Sequence, residues 1–388
     1  MHLNDAIEQI NEIALSYGLD PFPMRYEICP ASIIHTFASY GMPARYTHWS
    51  FGKAYHRLKL NEQLGLGKIY ELVINHNPCY AFLLDSNSLL QNKLIIAHVI
   101  AHSDFFKNNV YFSTTNRQMI ESMSSSARQI RAYEKKLGIA AVEQTLDAVH
   151  ALSVHSSVLK VMIEQGFHLE EWTKDLIMIG MEEMAYFWPQ METKICNEGW
   201  ATYWHRTIMR ELPLSDEELI AYARMHAAVI QPSAYSPNPY QLGLALLESI
   251  EKKSGRAGLF QARTLESDVS LLRNELTSKI VDDLQLHAYI KRGSEFKVSS
   301  SHWQDVRDQL VASKINGGFP MISAEVSQDR SLKLIHAFEG VELDVKELER
   351  TLPYVYHLWR FPVKFYTQIE GRPATFSYDG TTLHKQFG

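Results

Sequence analysis

The chain has 388 residues, 46 % of them apolar and 21 % charged. That is globular composition with length for two or three domains, and it excludes wholesale disorder, collagen and coiled coil. Lys plus Arg total 38 against 44 Asp plus Glu, a net charge of −6, which leaves no electrostatic footprint for nucleic acid or an anionic membrane.

The opening MHLNDAIEQI has Asp5 and Glu8 where a secretory leader is apolar, so no targeting segment is expected. Asp5 and Glu8 have capping-box spacing, Ile7, Ile10, Ile13 and Ala14 recur on one face, and Gly18 follows; the pattern predicts a helix over 4–17. Pro21 and Pro23 force extended chain. A second helix is expected over 27–40, ended by Gly41-Met42-Pro43, then a loop containing 48–53. Residues 69–75 and 80–84 read as strands flanking Asn77-Pro78, a hairpin signal. Residues 88–103 read as a helix apolar almost all round. Further helices are expected over 117–137, 140–165 and 170–188, with Gly138 between the first two and Pro189 ending or kinking the third. Helices follow over 190–211, 216–229 (opened by a Ser215/Glu218 capping box), 239–254 with Pro239 in its first turn, and 265–285.

Composition shifts after Gly293. One more helix is expected over 301–314. Gly317-Gly318 then opens a strand-rich tail, 319–326, 331–338, 363–369 and 373–378, interrupted by a helix at 344–358. The fold class expected is α+β: a mainly helical large domain, zincin-like in its core, over 1–290, a connecting helix within 291–315, and a small α+β unit over 316–388. The longest apolar stretch, around Leu94 to Ile100, is far short of the ~20 residues of a membrane span. Cys29, Cys79 and Cys196 stand far apart with no CxxC, which excludes a Cys-rich zinc site and reads as reduced thiols. A cytoplasmic location is expected.

The first constellation with chemistry is His98-Val99-Ile100-Ala101-His102. Histidines at i and i+4 share a helix face, close enough for both imidazoles to bind one metal ion. Val99 stands where HExxH zincins carry glutamate, so their usual base is missing. The opposing reading is a pair of core histidines with satisfied nitrogens. Asp104 follows as a candidate to hold a histidine or to act as a ligand, and Asn108 or Asn109 as a left-handed helix cap.

The second constellation runs from Asn197 through Glu198, Gly199 and Trp200 to His205. Glu198 and His205 lie on one helix face two turns apart. A glycine inside a helix costs roughly 1 kcal/mol, which points to a close approach at Gly199. Glu198 is expected to complete a His₂Glu site with His98 and His102, holding Zn²⁺ with one position open. Glu183 and His205 are the candidates for moving protons. The opposing reading pairs Glu198 with Arg210 inside an aromatic ridge. Glu27 and His35, eight apart on the expected second helix, read as solvating or capping groups. GxGxxG, GxxxxGK[ST] and GxSxG are all missing, so nucleotide-cradling loops and a nucleophile elbow have no support.

The chain resembles the SpoVR family (stage V sporulation protein R-like proteins). The resemblance is carried by His48-Trp49-Ser50-Phe51-Gly52-Lys53, by Tyr70 to Asn75 with Asn77-Pro78-Cys79, and by His98 to Asn109. It continues in Pro189 to Ile195, Asn197 to Ala201, Gln231-Pro232 and Asn238-Pro239-Tyr240, and in the tail at Asn316 to Gly318, Phe338 to Gly340 and Phe376 to Gly380. The stretch between 110 and 180 looks shorter and less charged than in many relatives. The resemblance implies a link to formation of the spore cortex, a peptidoglycan layer. It also implies a setting beside a PrkA-type serine kinase and a von Willebrand A-like protein. It assigns no reaction.

Three functions follow as expectations. The first is a zinc hydrolase acting on a cell-wall peptide or its precursor through His98, His102 and Glu198. The second is a non-catalytic regulator or scaffold working with the kinase and the von Willebrand A-like protein. The third, a di-iron oxygen-using enzyme, needs more carboxylates than the sequence offers.

Overall fold

The computed structural model describes residues 2–63, 71–233, 236–292 and 295–388. Residues 69 and 70 of the expected strand over 69–75 lie outside these, as does Gly293.

The chain divides into two compact units, Met1–Pro43 with Trp49–Ile120 and Pro189–Gly317, and Ala44–His48 with Glu121–Trp188 and Gly318–Gly388. The last segment starts within two residues of the expected boundary at 316. The helices of 121–188, however, group with the C-terminal strands rather than with the rest of 1–290, and 291–315 falls inside the first unit. Specific bonds explain the grouping. Thr145 Oγ1 meets His357 Nε2 at 3.2 Å, and Ser157 donates to the carbonyl of Ile322 at 3.2 Å.

In the first unit, the Leu89–Asn108 helix is buried on every side from Asn92 to Phe106. Around it lie the Leu3–Ser16, Lys194–Glu211 and Pro239–Leu265 helices, whose apolar faces form one core with Ile10, Ile96, Ile100, Trp200, Trp204 and Leu246. A three-stranded sheet adds Met24–Cys29 parallel to Cys79–Leu84, which pairs antiparallel with Glu71–Ile74 across the cis Asn77–Pro78 bond.

In the second unit, a five-stranded sheet runs in the order Leu383–Phe387, Arg372–Tyr378, Val363–Ile369, Leu332–His336, Ile322–Val326. Only the central pair, Leu332–His336 with Val363–Ile369, is parallel. It is the pair joined through a helix, Val345–Trp359, as a parallel connection requires. Leu334, Phe365 and Phe376 point to one face, and the helix buries Leu348, Leu352, Val355 and Trp359. The mainly helical α+β class thus holds, with fifteen α-helices among the described residues.

Local differences have local causes. The expected helix over 27–40 is a strand to Cys29 and a helix only from Ala31, because Pro30 is extended (φ −67°, ψ 154°) and residues 24–29 complete a ladder. Glu27 and His35 therefore sit on different elements. The loop expected over 48–53 is instead the start of the Trp49–Gln63 helix. The run over 140–165 breaks at His155 (φ −106°, ψ 58°) into Ile139–Leu152 and Ser156–Gln165. The run over 265–285 is two short helices, capped by Ser267 and Thr277. Pro189 lies inside Glu171–Glu192, and the break comes at Thr193, whose amide and hydroxyl both donate to the carbonyl of Pro189. The antiparallel pair Ala288–Arg292 with Glu295–Ser300 and the last strand, Leu383–Phe387, correspond to no expected element. Among the described residues no helix is long and apolar enough to cross a membrane.

Candidate metal centre

The Leu89–Asn108 helix starts at Ser88, whose hydroxyl accepts from the Gln91 amide while the Gln91 side chain accepts from the Ser88 amide. One helix repeat then stacks His98 and His102 on a single face, their Nε2 atoms 3.0 Å apart. The Lys194–Glu211 helix presents Glu198 to the same point, with Oε2 3.7 Å from His98 Nε2 and 3.5 Å from His102 Nε2. These three are the group of potential metal ligands found among the described residues. Donors held ~2.1 Å from one zinc ion at tetrahedral angles lie ~3.4 Å from each other, so the three separations bracket the edge of such a shell. The Glu198 side chain keeps 18 % exposure against 8 % for each histidine, with its Oε2 itself buried.

Two features of the second helix bring Glu198 there. Gly199 crosses Gly243 of the Pro239–Leu265 helix at backbone contact. Trp200 donates its indole N–H to Asp104 Oδ2 at 2.9 Å, which locks the register of the two site helices two residues beyond His102 and Glu198. Asp104 is no ligand. It is fully buried and accepts from Trp200, Arg263 Nη1 (2.8 Å) and the Asp20 amide (2.7 Å). Asn109 ends the helix in extended conformation (φ −76°, ψ 134°), not left-handed, and its side-chain Nδ2 donates to the carbonyls of Arg263 and Glu266.

The far nitrogens are also engaged. His102 Nδ1 lies 2.8 Å from Asn197 Oδ1, which only accepts, so Nδ1 carries the proton and Nε2 keeps its lone pair toward Glu198. His98 Nδ1 lies 3.0 Å from His205 Nδ1, and His205 Nε2 lies 2.9 Å from His226 Nδ1. The ring of Tyr240 stacks on His98.

Charge at the site is unbalanced. Burial pushes His98 below the ordinary histidine value, although Glu198 pulls the other way. His205 is driven further down by burial and by His98 and His226. Burial raises the Glu198 carboxyl, but an imidazole of His102 or His98 that carries its proton on Nε2 turns that proton to it, and this outweighs burial and holds the group well below the usual carboxylate range. Its Oε2 is buried and makes no hydrogen bond.

The remaining expected site residues fall in two places. His205 lies behind His98, on the nitrogen turned away from Glu198, so it acts on the group through His98. Glu183 belongs to the second unit, where Arg45 binds both its oxygens and Tyr46 donates to Oε2 at 3.4 Å. Tyr46 also meets His150 Nε2 at 2.5 Å. The sequence reading gave no role to His226 or Tyr240. His226 stands 21 positions after His205 on another helix, and only its i, i+4 pairing with Tyr222 marks that face.

The family model described as SpoVR like protein matches residues 1–160 and 155–319. The model described as SpoVR-like C-terminal domain matches residues 321–370. The uncharacterized protein YcgB of Escherichia coli (strain K12) is 26 % identical over 468 aligned positions, covering 94 % of this chain and 91 % of the relative. No solved structure matches this chain.

Proposed function

This chain belongs to the SpoVR family, and from that premise we propose that it is a metal-dependent hydrolase in which His98, His102 and Glu198 hold one divalent cation. The observation that carries the reading is the buried, unbonded Oε2 of Glu198 facing two imidazole nitrogens at ligand spacing. Two imidazoles and one carboxylate are a donor set of catalytic zinc sites, with a fourth position left for water or substrate. A zinc ion held there would supply a water of pKa ~7 and would polarise a carbonyl. The protein's own part is orientation. Asn197 fixes the proton of His102 on Nδ1, His205 supports His98, and Tyr240 covers the His98 ring. Glu183, bound by Arg45, is given no step. The resemblance to proteins of spore cortex formation supports a cell-wall peptide or its cytoplasmic precursor as substrate.

Metal analysis tests this. Purified protein is expected to hold about one equivalent of divalent metal, and a His98→Ala variant to lose it. Wild-type protein free of stoichiometric metal overturns the reading.

A second reading, a non-catalytic regulator or scaffold acting with a PrkA-type serine kinase and a von Willebrand A-like protein, has one observation in its favour. With protons on His226 Nδ1, His205 Nδ1, His98 Nε2 and His102 Nδ1, every contact in the imidazole chain has one donor and one acceptor. A closed polar network of this kind specifies a core. It leaves Glu198 unbalanced. Full complementation in cells by a His102→Gln, Glu198→Gln double variant favours the second reading; loss of function with folding intact favours the first.

A further inference from the structure

We propose that His226 is a positioning residue for the metal centre: through His205 it fixes the tautomer that turns the Nε2 lone pair of His98 toward Glu198. The inference rests on the cation reading above. A neutral imidazole carries one proton and one lone pair. For His98 to offer Nε2 to a cation, its proton must sit on Nδ1 and point at His205 Nδ1, 3.0 Å away. His205 must then accept at Nδ1 and carry its proton on Nε2. That proton points at His226 Nδ1, 2.9 Å away. His226 must therefore accept. One proton arrangement runs from the candidate ligand through two imidazoles to a residue on a different helix, Asp216–Val229.

The surroundings of His226 suit an acceptor. Tyr222 stacks on its ring. Burial, with Arg206 and Arg210 nearby and only Glu248 opposing, keeps it below the ordinary histidine value. A neutral ring has the lone pair that His205 needs. Without that acceptor, His205 gains by moving its proton to Nδ1. It then meets His98 Nδ1 as a donor, and His98 must place its own proton on Nε2, where it blocks ligation. Removing the partner that orients a metal-binding histidine typically costs 10–100-fold in affinity.

The test is zinc affinity by chelator competition on the full chain, with the thermal midpoint of metal-free protein measured alongside. His226→Leu removes the acceptor, and His226→Ala does the same in a smaller volume if the leucine variant does not fold. His226→Asn places a side-chain oxygen where Nδ1 was. The expected result is a loss of about 10–100-fold in the acceptor-free variant, a metal-free midpoint near wild type, and Asn within about threefold of wild type. Acceptor-free protein that binds zinc as tightly as wild type overturns the role of His226 while leaving the cation reading intact. So does an equal loss in the acceptor-free and Asn variants. A wild type that binds no zinc overturns both.

Discussion

A Cβ placed on Gly199 would lie 2.5 Å from the Cα of Gly243, and one placed on Gly243 would lie 2.6 Å from the Cα of Gly199. The obstacle in each case is main chain, which cannot rotate away. Glu198 precedes this crossing directly, so the spacing that seats the Lys194–Glu211 helix also seats the carboxylate.

Gly199→Ala is therefore expected to destabilise the protein by more than the ~1–3 kcal/mol of ordinary overpacking, despite alanine's better helix propensity. Chemical denaturation checks this. A midpoint equal to or above wild type would show that the helices separate at no cost.

Glu198→Gln separates the stability of the metal-free protein from its response to metal. It removes a buried carboxylate that the facing imidazoles hold below the ordinary range, so metal-free stability at neutral pH should be unchanged or lowered by about 1–3 kcal/mol. Wild type should gain roughly 2.7 kcal/mol at zinc a hundredfold above its dissociation constant, and the variant should gain almost nothing. Thermal unfolding with and without zinc separates the two effects. An equal zinc response in both proteins contradicts the ligand role.

Asp268 gives a pH signature. It is fully buried, its Oδ1 accepts from the Cys196 amide at 3.0 Å, and its Oδ2 has no partner. Burial pushes its carboxyl up to about 6, against the bonds from the Ile195 and Cys196 backbone. The unfolded chain releases this proton near the ordinary value, so between roughly pH 4 and 6 the folded state holds more protons and loses stability as pH rises. By pH 7 the loss from this group is on the order of 2–3 kcal/mol. Asp268→Asn should lack it. Denaturation midpoints at pH 4.5 and 7 check this, and an unchanged gap between the two proteins would contradict it.

Glu183→Ala leaves Arg45 buried without its carboxylate. Breaking such a pair typically costs about 3–5 kcal/mol, and metal content should stay at the wild-type level. Metal lost together with folded protein of normal stability would return Glu183 to the site.

The convergence of His98, His102 and Glu198 is legible in the sequence because its signal is local. Histidines four apart on an apolar helix share a face by helix geometry alone, and an interior glycine beside Glu198 announced a close approach. His226 and Asn197 act from contacts between helices, which residue spacing does not encode. The same division holds for the fold. The capping box at Ser215 and the central strands of the C-terminal sheet follow from short-range pattern. The strand Met24–Cys29 does not, because its ladder partner lies 55 residues further on and outweighs its helical appearance. The grouping of 121–188 with the C-terminal sheet likewise rests on long-range bonds such as Thr145 to His357.

Diffraction at the zinc absorption edge from crystals grown with zinc tests the central claim most directly. One anomalous peak about 2.0–2.2 Å from His98 Nε2, His102 Nε2 and Glu198 Oε2 is the predicted result. No peak at that point, with the two Nε2 atoms still hydrogen-bonded to each other, would contradict it.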